Sequence, residues 1–257
     1  MPMGCESCHS EVLENDDWVP IHSRFGKYTV PAEFESGEHR KERLRQVEEA
    51  GMIRSNDIYK IAHMCFKCHA SPEAALVNAG HKASSGFELL GRLLGENRHN
   101  FHEDQSTNAE GPTLWARRTG GDIIARRRII FIVGILVDAQ LAFEARSRIE
   151  DTEVLIRSDF PELLLERAEM SLEYLEISIE VLEDDVPEQL ETAFEIIYEG
   201  LDADFAEAEA REILAESAKQ LDKIARWFAT QDGKNLEALD EVLEEFVEPK
   251  GTPYQPQ

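Results

Sequence analysis

The chain is 257 residues long, enough for one or two domains with substantial cores. Its 52 acidic residues outnumber 27 basic ones, giving a formal charge of −25 and a pI near 4.7. That balance excludes nucleic acid and anionic membrane surfaces as partners. The excess is uneven: 21 acidic stand against 19 basic residues through Ile149, and 31 against 8 from Glu150 onward. Such an asymmetry predicts a domain boundary near residue 150.

In chain order, Met1-Pro2-Met3-Gly4 runs straight into Cys5-Glu6-Ser7-Cys8-His9. From His9 to Ser36 the pattern is loop-like, punctuated by Asn15-Asp16-Asp17, Pro20, Gly26 and Pro31. A charged helix is expected over 38–50, stopped by Gly51. The next is capped by Asn56 and runs into a second stretch of the same kind, Cys65-Phe66-Lys67-Cys68-His69. Ser71-Pro72-Glu73 restarts a short helix that Gly80 ends, and Phe87 to Leu94 gives another ending at Gly95. Residues 97–112 read as polar loop.

A long helix is expected from Asp122 to Ile149. Its apolar run Ile129 to Val137 is nine residues, about 14 Å at helical rise, and is closed by Arg126-Arg127-Arg128 and Asp138. A membrane span needs about 20 apolar residues, so a buried core helix is predicted and no transmembrane span. Asp159-Phe160-Pro161-Glu162 opens a helix striped by Leu163, Leu164, Ala168, Leu172, Leu175, Ile179 and Leu182. Asp185-Val186-Pro187-Glu188 repeats the device through Leu190, Phe194 and Ile197 to Gly200. A further amphipathic helix covers 204–230, with Phe205, Ala208, Leu214, Leu221, Ile224 and Phe228 inward, and Asn235 caps the last, striped by Leu236, Leu239, Leu243 and Phe246. The expected fold is mainly α: a loop-rich region over 1–112 that holds both Cys-x-x-Cys-His stretches, a long core helix linking the parts over 113–150, an acidic α-helical bundle over 151–248, and a flexible tail over 249–257.

All four cysteines fall in the two Cys-x-x-Cys-His stretches, leaving none for a disulfide framework. This spacing is the attachment signature of c-type haem. Each thiol adds across one vinyl group of the porphyrin, and the adjoining histidine supplies the proximal nitrogen. Cys5, Cys8, Cys65 and Cys68 are therefore the candidate covalent attachments of two haems c, and His9 and His69 the proximal ligands. The main alternative is a four-thiolate zinc site stabilising a helical interaction protein. Zinc ribbons usually place their pairs about 15–20 residues apart and do not require a histidine after each. A thioredoxin-like pair would want a βαβ setting, and no strand pattern precedes either motif.

His22, in the Pro-bent Trp18-Val19-Pro20-Ile21-His22, is a distal-ligand candidate, with His81 after Asn78-Ala79-Gly80 and His99 in Arg98-His99-Asn100-Phe101. His39, among Glu38, Arg40 and Lys41, reads as helix surface, His63 sits on the same helix as His69, and His102 is the weaker neighbour of His99. Met52 and Met64 are alternative axial thioethers. Arg98, Arg117 and Arg118 are candidates to pair with haem propionates. The bundle contains neither His nor Cys and so offers the iron none of its usual nitrogen or thiolate ligands.

Met3-Gly4-Cys5-Glu6-Ser7-Cys8-His9, with His22 thirteen positions past His9, resembles the third haem segment of multihaem cytochromes of the cytochrome c-554 type. The Cys65 motif resembles the fourth. The likeness is specific over residues 3–22 and extends more weakly to about 150, through His81-Lys82-Ala83 and Arg98-His99-Asn100-Phe101. It implies electron transfer between closely spaced haems, a distal His22 serving a neighbouring haem, and relatives that act in nitrogen-compound oxidation. The family places two further haem motifs and an export signal upstream. An export leader is accordingly expected to have been removed, or the chain to be the downstream part of a longer protein.

These readings converge on a periplasmic or otherwise extracytoplasmic electron carrier. Its expected partners are redox proteins with a basic docking surface and other haem domains or subunits. The rival within haem chemistry is an enzyme with one five-coordinate haem acting on a small nitrogen or oxygen species. No Ser-His-Asp arrangement, phosphate-binding glycine loop or two-His zinc helix is present.

Overall fold

The computed structural model describes residues 9–10, 17–26, 34–69, 74–80, 87–95, 121–149, 159–203 and 208–251. Among them 77% are helical and none forms a strand, so the protein is mainly α, as the periodicity predicts. The helices are α1 (Val19–His22), α2 (Gly37–Glu49), α3 (Ile58–His69), α4 (Ala74–Asn78), α5 (Leu89–Leu94), α6 (Ile123–Ser147), α7 (Phe160–Leu182), α8 (Glu188–Asp202), α9 (Ala208–Phe228) and α10 (Leu239–Phe246). The chain divides into two compact units, Met1–Met64 and Cys65–Gln257, with the division inside α3. The change in charge at residue 150 thus falls within the second unit.

In the first unit α1 packs on α2. The Ser36 hydroxyl caps α2 by accepting from the His39 amide. Trp18, Val47, Ile53, Ile58, Tyr59, Ile61, Ala62 and Met64 are buried. Where the pattern reads as loop, Val19–His22 forms one helical turn. Pro20 occupies its opening, where the missing amide costs nothing, and buried Trp18 roots it by donating its indole N–H to Ser10 Oγ at 2.7 Å.

The second unit is built around α6. Asp122 caps it, accepting from the Ile124 and Ala125 amides, and 18 of its 25 residues are buried. A helix buried on all sides needs neighbours on all sides, and α5, α7, α8, α9 and α10 supply them. No helix of the described residues is long and apolar enough to cross a membrane. The buried stripe of α7 contains Leu164, Ala168, Leu175 and Leu182 but also Arg167, Ser171 and Ser178. The two serines return their hydroxyls to the carbonyls of Arg167 and Tyr174, so their small side chains face the core satisfied.

Four helix starts differ from expectation: at α3 it is Asp57, not Asn56, whose carboxylate accepts from the Lys60 amide at 3.1 Å, and Asp159 precedes α7 without a side-chain cap bond. Asp185 lies in a 3₁₀ turn and α8 begins at Glu188 behind Pro187; Asn235 lies in the 3₁₀ turn Lys234–Leu236 and α10 begins only at Leu239. Before α10, the turn is set by Gly233 rather than by a polar cap: its φ is +71°, and an added Cβ would meet the Ala125 carbonyl oxygen at 2.3 Å. The Gly233 carbonyl accepts from Arg128 Nη1 at 3.1 Å, and Arg128 also holds both oxygens of Asp240 at 2.7 Å. At the other end, the segment expected to fray begins held: the Lys250 amide donates to Gly91 O at 2.9 Å, and Gly91 and Gly95 leave room for that backbone.

Gly233→Ala therefore combines left-handed strain with a backbone clash and is expected to cost about 2–3 kcal/mol in chemical denaturation. Unfolding followed by circular dichroism checks this, and a loss below half a kcal/mol contradicts the packing described.

Candidate functional site

The second Cys-x-x-Cys-His stretch forms the last turns of α3. Its residues divide by direction. Phe66 is buried, 2% exposed, meeting Phe87 edge to face at 5.1 Å. Cys65 is half-buried, while Cys68 and His69 are exposed. Helical spacing puts positions three and four apart on neighbouring turns of one face, so Cys65, Cys68 and His69 are displayed together while Phe66 anchors the turn. The His69 ring lies flat on Phe87, with centroids 4.6 Å apart and planes 6° from parallel. Stacking uses the face of the imidazole and leaves its nitrogens at the edge.

In the first unit His9 and Ile53 exchange contacts both ways. The Ile53 amide donates to His9 O at 2.7 Å, and His9 Nδ1 lies 2.7 Å from Ile53 O. Beside them Ser10 and Met52 form an isolated antiparallel bridge. A nitrogen that close to a carbonyl oxygen carries the hydrogen, so Nδ1 is the N–H and the ring's lone pair sits at Nε2. Histidines that bind metals are commonly oriented this way, by a carbonyl or carboxylate on the other nitrogen.

Trp18 lies between His9 and His22, its ring 6.3 Å from the first and 5.9 Å from the second. The chain at His22 is fixed by Arg43, whose Nη1 donates to His22 O at 2.9 Å. Arg43 also forks onto Glu35 through Nε and Nη2, each at 2.7 Å, and lies 4.8 Å from the centre of the Phe25 ring. The side chains of the pair are 7% and 3% exposed. The fork from Arg43, with His39 also bonded at 2.8 Å, holds the Glu35 carboxyl down to about 2 against the opposing effect of burial. His39 itself lies on the exposed face of α2, as its charged neighbours predict.

Of the other candidates, His63 leans on Tyr59 one turn earlier, at 5.9 Å, and Met64 is buried. Cys5, Cys8, His81, His99, His102, Arg98, Arg117 and Arg118 lie outside the described residues. Among the described residues no three His, Cys, Asp or Glu side chains gather as an ion site. Sequence reasoning missed Ile53 as the partner of His9 and the Arg43–Glu35 fork; no local pattern marks a carbonyl 44 residues away. At the second stretch the described residues, an exposed thiol and an imidazole at one helix end, are compatible with a c-type haem; at the first stretch only His9 is among the described residues, with Nδ1 held by Ile53 O.

Because Glu35 titrates lower in the folded chain than its ordinary 4.5, its contribution is complete above pH 4.5 and is lost as pH falls toward 2. Glu35→Gln is expected to lower stability at pH 7 by about 1–3 kcal/mol. It should also flatten the acid limb of the stability curve between pH 4.5 and 2. Denaturant titrations at several pH values read both, and an unchanged acid limb contradicts the assignment.

Comparison with family models, with curated proteins and with solved structures gave no match to the chain.

Proposed function

We propose that the protein is a c-type cytochrome carrying two covalently attached haems and passing single electrons in an extracytoplasmic redox chain. The observation that carries this reading is the division of roles within Cys65–His69: the thiols and imidazole are presented from one helix end while Phe66 roots it. Zinc binding by four thiolates has no use for the displayed histidine. Electron carriage also suits a protein whose histidines are all in its first 102 residues and whose acidic helices contain none.

In this reading Cys5, Cys8, Cys65 and Cys68 would hold the porphyrins, each S–H adding across a vinyl C=C so that nothing leaves. His9 and His69 would take the proximal positions, with Ile53 O fixing the tautomer of the first and Phe87 the plane of the second. When bound, the haem supplies a one-electron iron couple whose potential follows its axial ligands and burial. His22, placed by Arg43 and Trp18, is the distal candidate for a haem of this or a neighbouring segment, as the resemblance to the cytochrome c-554 type implies. His81 and His99 are the other distal candidates. The acidic helices would steer a basic redox partner, since such encounters are small and guided by charge.

Ferric protein from a host able to attach haem c is expected to show only low-spin absorption, unmoved by cyanide or nitric oxide. A high-spin band that shifts on adding either would favour the five-coordinate enzyme, and zinc with no haem absorbance would favour the interaction protein. His69→Ala should keep both sets of thioether links and convert about half of the low-spin absorption to high spin.

A further inference from the structure

Beneath the second attachment turn lies a fully enclosed ion pair. Arg167 of α7 is 0% exposed and Asp138 of α6 is 4% exposed. Arg167 Nε donates to Asp138 Oδ1 at 2.8 Å, and Nη2 bonds the other carboxylate oxygen. The same Nη2 donates to the Phe87 carbonyl at 3.1 Å, and the guanidinium carbon stands 5.6 Å from the centre of the Phe66 ring. Phe66 sits between the attachment cysteines, and Phe87 is the ring on which His69 lies. One residue, Phe87, therefore separates the buried guanidinium from the imidazole.

An enclosed pair of this kind is no more stabilising, on general grounds, than apolar side chains filling the same space. What arginine adds is a planar fork that can hold a carboxylate, a carbonyl and a ring in one arrangement. Burial raises the Asp138 carboxyl above its ordinary range, and Arg167 opposes that rise. Asp138 interrupts an apolar helix, which further marks its place as one where charge is retained at a cost.

We infer that Arg167 and Asp138 are positioning residues for the second haem segment, fixing the His69 plane through Phe87 and placing the guanidinium's charge on the Phe66 and Phe87 side of the pair, nearer to where His69 would hold the iron. The inference rests on the reading that Cys65, Cys68 and His69 hold a haem. A cation nearer the iron than its counter-ion favours the reduced state.

The test uses holoprotein from a host that attaches haem, counted by intact mass and followed by electron paramagnetic resonance and potentiometric titration. Asp138→Leu combined with Arg167→Leu leaves neither charge unpaired. Two haems are expected to remain, with one of two low-spin signals displaced and one of two midpoint potentials lowered. Asp138→Asn, which keeps the guanidinium, should raise that same midpoint by about tenfold in the reduction equilibrium, ~59 mV for one electron. Phe87→Leu, which leaves the pair intact, should displace the same signal and guards against a double variant that fails to fold. Folded variants with two haems and with signals and midpoints equal to wild type would overturn the inference and leave the cytochrome reading standing. Wild-type protein without haem would remove both.

Discussion

A helix that is apolar on every face can be covered only by other helices, and α6 is such a helix. Its burial explains why a strongly acidic chain gathers five further helices around one axis despite their mutual repulsion. Among the described residues, two of the buried charges of this helix are bonded to other elements of the unit. Arg128 finds Asp240 and the Gly233 carbonyl; Asp138 finds Arg167. The same helix gives the Cys65–His69 turn its footing, since Gly134 leaves space against which Leu89 and Phe66 pack.

The two units use one device at their histidine-bearing segments. In each, an enclosed arginine forks onto a carboxylate, donates to a backbone carbonyl and lies over a phenylalanine ring: Arg43 with Glu35, His22 O and Phe25; Arg167 with Asp138, Phe87 O and Phe66. Short helices and turns cannot hold a ligand geometry by their own hydrogen bonds, which are few. A planar fork with three kinds of partner restricts a loop far more than a single contact does. Both forks act on main chain, so they fix the segment rather than the histidine side chain directly.

Much of the helical part was legible because it obeys one period. Leu164, Ala168, Leu175 and Leu182 are buried as the spacing of α7 predicts, and Leu214, Leu221 and Phe228 do the same in α9. The reading failed where a polar residue belongs to the buried face. Arg167, Ser171 and Ser178 break the apolar pattern of α7, and their reasons lie in other elements or one turn back. Asn235 looked like a cap because its chemistry suits one, yet the left-handed Gly233 two residues earlier makes a tight turn and delays α10. Local motifs named His9 and His69 directly. Their supports could not be named, because Ile53, Phe87 and Arg167 are brought to them by the fold.

The central claim is covalent: both Cys-x-x-Cys-His stretches carry a porphyrin. Intact mass with peptide mapping, on protein made alongside the attachment machinery, addresses it most directly. Two added haems, one mapped to the peptide holding Cys5 and Cys8 and one to that holding Cys65 and Cys68, are the expected result. A mass equal to the bare polypeptide, with all four thiols open to alkylation, would contradict it.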